Sequence, residues 1–220
     1  MNRTITLAAA AAVFAALAIV SAPWALGQPW LNFVFKPLTT LAVIAYAQGR
    51  GRDAPTVRRW VLAGLVLSLA GDVALLWPAR GFVPGLVAFL LAHLAYLVAF
   101  TRTARLAARV APFVVYAAVA GGILALLWSH VPAALRAPVL AYVVALATMA
   151  AQAAVLWRAG VPRGGVLALG GALFVASDAL LATNRFATAL PLSSLWILAT
   201  YWGAQWCIAS WLAPARRTGG

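Results

Sequence analysis

The sequence predicts an all-α polytopic membrane protein, a single integral-membrane domain over residues 1–220 built as a bundle of eight transmembrane helices. Three observations predict it. The 220 residues are 65% hydrophobic and 9% charged, more apolar than one soluble core requires. Apolar runs of roughly 17 to 25 residues, the length that crosses a bilayer, recur eight times along the chain. The gaps between them are short, carry Pro and Gly, and concentrate arginine in alternate gaps.

The first run, Ile5 to Val20, is Ala-rich and follows Arg3. With Ser21-Ala22-Pro23 it also resembles a secretory signal peptide; the apolar stretch is long for one and Pro23 sits awkwardly for cleavage, so it is read as a helix. The second, Leu31 to Ala47, lies between Pro29 and Gly49 and carries Lys36, the sole lysine. The third, Trp60 to Trp77, follows Gly51 and Pro55 and carries Asp72. The fourth, Phe82 to Phe100, begins after Pro78 and Gly81 and carries His93 and Tyr96. The fifth, Val110 to Trp128, and the sixth, Ala134 to Trp157, are parted by Pro132. The seventh, Val166 to Thr183, follows Pro162 and carries Asp178, with Asn184 just beyond its end. The eighth, Leu192 to Leu212, follows Pro191 and carries Tyr201, Gln205 and the single cysteine, Cys207. Trp24, Trp30, Trp77 and Trp128 read as an interfacial aromatic belt.

With the N-terminus inside, twelve arginines fall on the cytoplasmic side: Arg3, Arg50, Arg52, Arg58, Arg59, Arg102, Arg105, Arg109, Arg158, Arg163, Arg216 and Arg217. Only Arg80, Arg136 and Arg185 fall outside. That asymmetry places both termini in the cytoplasm. It also accounts for the net charge of +13 as topology rather than nucleic-acid binding, since the short gaps lack interleaved basic and aromatic groups. One cysteine excludes an intramolecular disulfide, and two histidines with distant aspartates give no metal-ligand spacing. No Gly-rich phosphate loop and no Gly-x-Ser-x-Gly elbow is present.

The segment around Asp72 (Leu69-Ala70-Gly71-Asp72-Val73-Ala74) echoes that around Asp178 (Val175-Ala176-Ser177-Asp178-Ala179-Leu180), 178−72 = 106 positions later. Tyr96 and Tyr201 follow their aspartates at nearly equal distances. The echo is the pattern that two four-helix repeats, parallel about an axis along the membrane normal, would leave.

Of the three carboxylates in the chain, Asp72 and Asp178 lie within apolar runs, where a charge costs roughly 2.5 to 3.5 kcal/mol on insertion scales. At about 1.5 Å rise per residue, Asp72, Asp178 and Lys36 all lie roughly 7 to 8 Å below the outer surface, close enough in depth to share a pocket. His93, Tyr96, Tyr201 and Gln205 fall deeper; Asn32 and Asn184 lie near the outer rim. Interhelical hydrogen bonds in membranes contribute only about 0.6 to 2 kcal/mol, a modest return for such groups if their role were structural alone. Two carboxylates close together in low dielectric divide acid and base roles, one neutral and one ionised beside an ammonium, as glycosidases do on acetal linkages. A second class fits the same residues: a small-molecule or proton-coupled transporter, in which the buried acids relay protons.

Lys36-Pro37-Leu38-Thr39-Thr40, then Gly71-Asp72 with Leu75-Leu76, then Phe82 with Gly85, Phe89, His93 and Tyr96, then Phe174 with Ser177-Asp178, and Tyr201 with Gln205, together resemble the YhhN family of eight-helix membrane proteins. The resemblance runs from the second helix to the eighth. It implies a lysoplasmalogenase, an ether hydrolase that cleaves the vinyl ether of lysoplasmalogens to a fatty aldehyde and glycerophosphocholine or glycerophosphoethanolamine, without a cofactor. It places Lys36, Asp72, His93, Asp178 and Tyr201 at family motif positions. Asp72 and Asp178 are then the expected acid-base pair; Lys36, His93, Tyr96, Tyr201, Asn184 and Gln205 are the expected contacts to a lysophospholipid drawn from the surrounding membrane lipids.

Overall fold

A computed structural model describes residues 3–214; Arg216 and Arg217 of the charge count lie outside the described residues. Eight α-helices follow one another: α1 (Arg3–Val20), α2 (Pro29–Gln48), α3 (Pro55–Ala74), α4 (Pro78–Thr101), α5 (Val110–Leu127), α6 (Arg136–Arg158), α7 (Gly164–Ala182) and α8 (Ser193–Trp211). A π-helical segment, Thr183–Ala187, extends α7. Among the described residues the only β-type pairing is a lone bridge between Arg50 and Pro214. Five helical stretches are long and apolar enough to cross a membrane, namely Pro29–Gln48, Pro78–Thr101, Val110–His130, Ala133–Arg158 and Gly164–Ala187. The chain is an integral membrane protein.

Three helices open on proline, α2 at Pro29, α3 at Pro55 and α4 at Pro78. A first-turn N–H has no intrahelical acceptor, so proline starts a helix there without loss. For that reason α3 begins at Pro55, five residues before the apolar run itself, and takes Arg58 and Arg59 into its first turns.

Apart from α4 and α5, sequence neighbours pack antiparallel, and two further contacts close the bundle: α4 lies against α6, and α2 against α8. The end at which α3 and α7 terminate is called the upper end below. Trp24, Trp30, Trp77 and Trp128 all lie there with exposed side chains. At the lower end, the guanidinium groups of Arg50 and Arg163 both donate to the carbonyls of Ser210 and Leu212, which satisfies the C-terminus of α8. Helix α5 is the exception to tight packing. It rests mainly on α6, its valines face outward, and nothing approaches the Cβ positions of Gly121 and Gly122.

Small residues set the closest helix contacts, as expected where lipid offers no hydrophobic drive between helices. A Cβ on Gly64 would collide with the Tyr96 ring, and one on Gly71 would lie 2.5 Å from the Phe89 ring. Gly170 and Gly171 let α7 approach α8 and α6; a Cβ on Gly171 would lie 3.0 Å from Ala150 Cα. Both α2, through Pro37, and α7, through this glycine pair, run unbroken.

Gly64→Ala should lower stability by about 1 to 3 kcal/mol through overpacking against Tyr96, whereas Gly122→Ala should change it little. Thermal unfolding of the two variants in one detergent, followed by helical circular dichroism, checks the contrast.

Candidate active site

Asp72 is the node of one polar cluster. It sits in the last turn of α3, is 1% exposed, and faces Lys36 of α2, whose Nζ is 3.5 Å from Oδ1. The other carboxylate oxygen accepts two hydroxyl hydrogen bonds, from Thr40 at 2.6 Å and Tyr201 at 2.7 Å. Lys36 and Thr40 are four residues apart, so one face of α2 supplies both partners. Behind Tyr201 the donors run in one direction: Gln205 Nε2 donates to the Tyr201 hydroxyl at 3.2 Å, and Tyr96 donates to Gln205 Oε1 at 2.6 Å. Trp202 Nε1 donates to Thr40 at 3.2 Å. The cluster ties α2, α3, α4 and α8 together, and an acceptor surrounded by an ammonium and two hydroxyl donors is a carboxylate.

Asp178 is the node of another. It lies on the last turns of α7 and accepts a hydrogen bond from the Tyr142 hydroxyl of α6 at 2.7 Å. No hydrogen bond or ion pair joins Asp178 to Asp72 or to Lys36 among the described residues. The His93 ring stands edge-on to Tyr142, 5.2 Å between centroids, and to Phe174 at 4.7 Å. Both His93 ring nitrogens are buried without a hydrogen-bond partner. Phe89 and Phe174 each meet Tyr201 edge-on at 5.7 Å, so an aromatic layer stands between the two aspartate clusters.

One apolar cavity opens among α4, α5, α6, α7 and the π-helical segment. Asp178 and Tyr142 line it, as do Phe82, Phe89 and Arg185; Asp72 and Lys36 do not. Equal depth along the helices therefore did not bring the two carboxylates into one cavity. Asp72 is sealed on the far side of Tyr201 and Phe89 by the donors it needs as a buried charge. Of the other sequence-predicted contacts, His93, Tyr96, Tyr201 and Gln205 stand behind the lining in the two clusters. Asn184 accepts the Leu190 N–H at 2.9 Å and shapes the turn after α7.

Three contributors were not among the sequence-predicted site residues: Thr40, Tyr142 and Arg185. Tyr142 had a signal. Lys36 precedes Asp72 by 72−36 = 36 residues, and Tyr142 precedes Asp178 by 178−142 = 36, so each aspartate is met by the residue at the same offset on the preceding helix.

Lys36→Met leaves a buried carboxylate without its cation and should destabilise the protein by about 3 to 5 kcal/mol. Adding Asp72→Asn should recover much of that loss, and a double-mutant cycle on detergent-solubilised protein measures the coupling. Additive effects would mean that the pair contributes nothing.

Residues 31–212 match the YhhN family. The chain is 38% identical over 180 residues to the lysoplasmalogenase TMEM86B of Sus scrofa, covering 81% of this chain and 74% of that protein. It is 40% identical over 141 residues to the lysoplasmalogenase TMEM86B of Homo sapiens, covering 64% of this chain and 58% of that one. A lysoplasmalogenase of Mycobacterium bovis is 36% identical over 174 residues, with 73% of this chain and 62% of the relative covered. No solved structure matches this one. With a match that spans α2 to α8 and takes in both aspartate clusters, the chain belongs to the YhhN family.

Proposed function

We propose that the protein is a membrane hydrolase that cleaves the vinyl ether bond of lysoplasmalogens, releasing a fatty aldehyde and a glycerophospho-alcohol. Relatives that carry the name lysoplasmalogenase support the reaction. The observation that carries it to residues is the single carboxyl in the wall of a largely apolar cavity, held by one phenol.

The chemistry needs a proton on the vinyl β-carbon, stabilisation of the oxocarbenium that forms, and water to capture it. Asp178 has no cation beside it and faces an apolar cavity, so it enters as the neutral acid. Tyr142 donates to one of its oxygens and leaves the other to hold the proton. After transfer, the carboxylate faces the cation it has made, then takes a proton from the attacking water; the resulting hemiacetal collapses to aldehyde and alcohol. No cofactor is required. Asp72 acts at a distance. With Lys36, Thr40 and Tyr201 it is a positioning group, fixing Tyr201 and through its ring Phe89 and Phe174, which pack against the cavity and against His93. His93 in turn packs edge-on against Tyr142.

All eight helices cross the membrane in this reading, with both termini cytoplasmic and the upper end outward, in keeping with the arginine asymmetry. Two four-helix repeats are supported by the shared offset of 36 residues and by matched contacts: α2 on α8 corresponds to α6 on α4. The transporter reading is weaker, because α2 and α7 run unbroken past the charged positions where a carrier of that kind unwinds its helices.

Purified protein in detergent, given lysoplasmalogen and no membrane gradient, should release aldehyde; no turnover there would favour the carrier. Asp178→Asn should abolish release while the protein remains folded, and Tyr142→Phe should lower kcat by about 10- to 100-fold. Asp72→Asn should reduce activity together with thermal stability, and Asp178→Asn activity alone. Wild-type rates in Asp178→Asn would sink the mechanism.

A further inference from the structure

The chain of polar groups along the cavity does not end at Asp178. Arg185 is the one basic residue in the lining, carried on the π-helical segment that continues α7. Seven residues separate it from Asp178, close to two helical turns, so both face the cavity with an axial offset of about 10 Å. The residues of α7 and its π-helical extension that line the cavity run from Val175 through Asp178, Ala179, Leu181 and Ala182 to Arg185 and Phe186, so the lining continues through the π-helical turn.

The Arg185 guanidinium lies over the Phe82 ring, 5.1 Å from its centroid, and Phe82 is held edge-on by Phe186 at 5.7 Å. This cation–π contact holds the guanidinium against the ring and leaves N–H groups available. No hydrogen bond or ion pair from Arg185 occurs among the described residues. Of the other cations on this half of the bundle, Lys36 is buried on Asp72, and neither it nor Arg80 lines the cavity. Arg136 also differs: it stacks on Trp128 and donates to the Val131 carbonyl.

From the upper end downward the cavity thus offers a planar cation, then a carboxyl with its phenol, then hydrocarbon walls at Phe89 and Leu146. A lysoplasmalogen offers its phosphodiester, then a short glycerol spacer, then the vinyl ether, then the alkenyl chain. We infer that Arg185 binds the phosphodiester of the substrate and so sets the register that brings the vinyl ether to Asp178. This rests on the hydrolase reading above and deepens it. Arg185 is a binding and specificity residue; no proton passes through it.

The test compares lysoplasmalogen with 1-alkenylglycerol, which has the same vinyl ether and no phosphate, in wild type, Arg185→Gln and Arg185→Lys. In the wild type kcat/KM should favour the phosphate-bearing substrate. Arg185→Gln should reduce that preference by about tenfold or more, chiefly through KM, as loss of a charge-assisted hydrogen bond predicts. Arg185→Lys should restore part of it, since an ammonium keeps the charge and loses the fork. A preference unchanged in Arg185→Gln overturns the inference.

Binding is read separately as the rise in melting temperature produced by acyl lysophosphatidylcholine over that produced by monoacylglycerol. Arg185→Gln should erase the difference. If the wild type cleaves neither substrate yet this difference depends on Arg185, the phosphate site stands and the hydrolase reading falls. If aldehyde is released but neither the preference nor the stabilisation responds to Arg185→Gln, the hydrolase stands and the phosphate site falls.

Discussion

A carboxylate held inside a membrane bundle must be matched by donors on every side, and the arrangement around Asp72 is organised by that requirement. Lys36 and Thr40 from α2 and Tyr201 from α8 converge on it, while Gln205 and Tyr96 extend the hydrogen bonds to α4. Four of the eight helices are therefore held at fixed rotation and height by one acidic side chain. The glycines of α3 follow from this. Gly64 and Gly71 allow Tyr96 and Phe89 of α4 to lie flat against α3, which brings the Tyr96 hydroxyl to Gln205 and the Phe89 ring to Tyr201.

The second aspartate has been given the opposite surroundings. Asp178 has one phenol, no cation and an apolar cavity in front of it. Two residues of the same type, at matched offsets in the sequence, are thereby separated in character by what faces them. One is saturated with donors and shielded; the other is left chemically available. The aromatic layer of Phe89, Phe174 and His93 couples the two mechanically while keeping the Asp72 charge away from the cavity. His93 joins that layer through its ring edge, with both nitrogens buried and unpartnered.

Much of the architecture could be read from the chain, because proline and apolar length act locally. Pro29, Pro55 and Pro78 mark helix starts whatever the rest of the protein does, and the apolar runs fixed the order of all eight helices. The meeting of Lys36 with Asp72 was also legible, since both lie at one depth on successive helices. What depended on lateral packing was not. Nothing in one dimension says that α4 lies on α6 and α2 on α8, and those contacts decide that the cavity reaches Asp178 and excludes Asp72. Tyr142 sits alone in an Ala/Val/Leu run and carries no local sign of its partner. Arg185 read as one more loop charge because the π-helical continuation of α7 leaves no composition signature.

Helix α5 forms one wall of the cavity through Ala120, Ile123, Leu124 and Leu127, while Val114, Val115 and Val119 on the same helix face outward. A single loosely packed helix thus separates the cavity from the surrounding hydrocarbon. For the lysophospholipid substrate proposed above, access past such a wall would be diffusion in two dimensions, and the quantity governing saturation would be its mole fraction among neighbouring lipids rather than its concentration in water. On that reading turnover in a vesicle would depend on surface dilution, with an added inert lipid acting as a diluent of substrate.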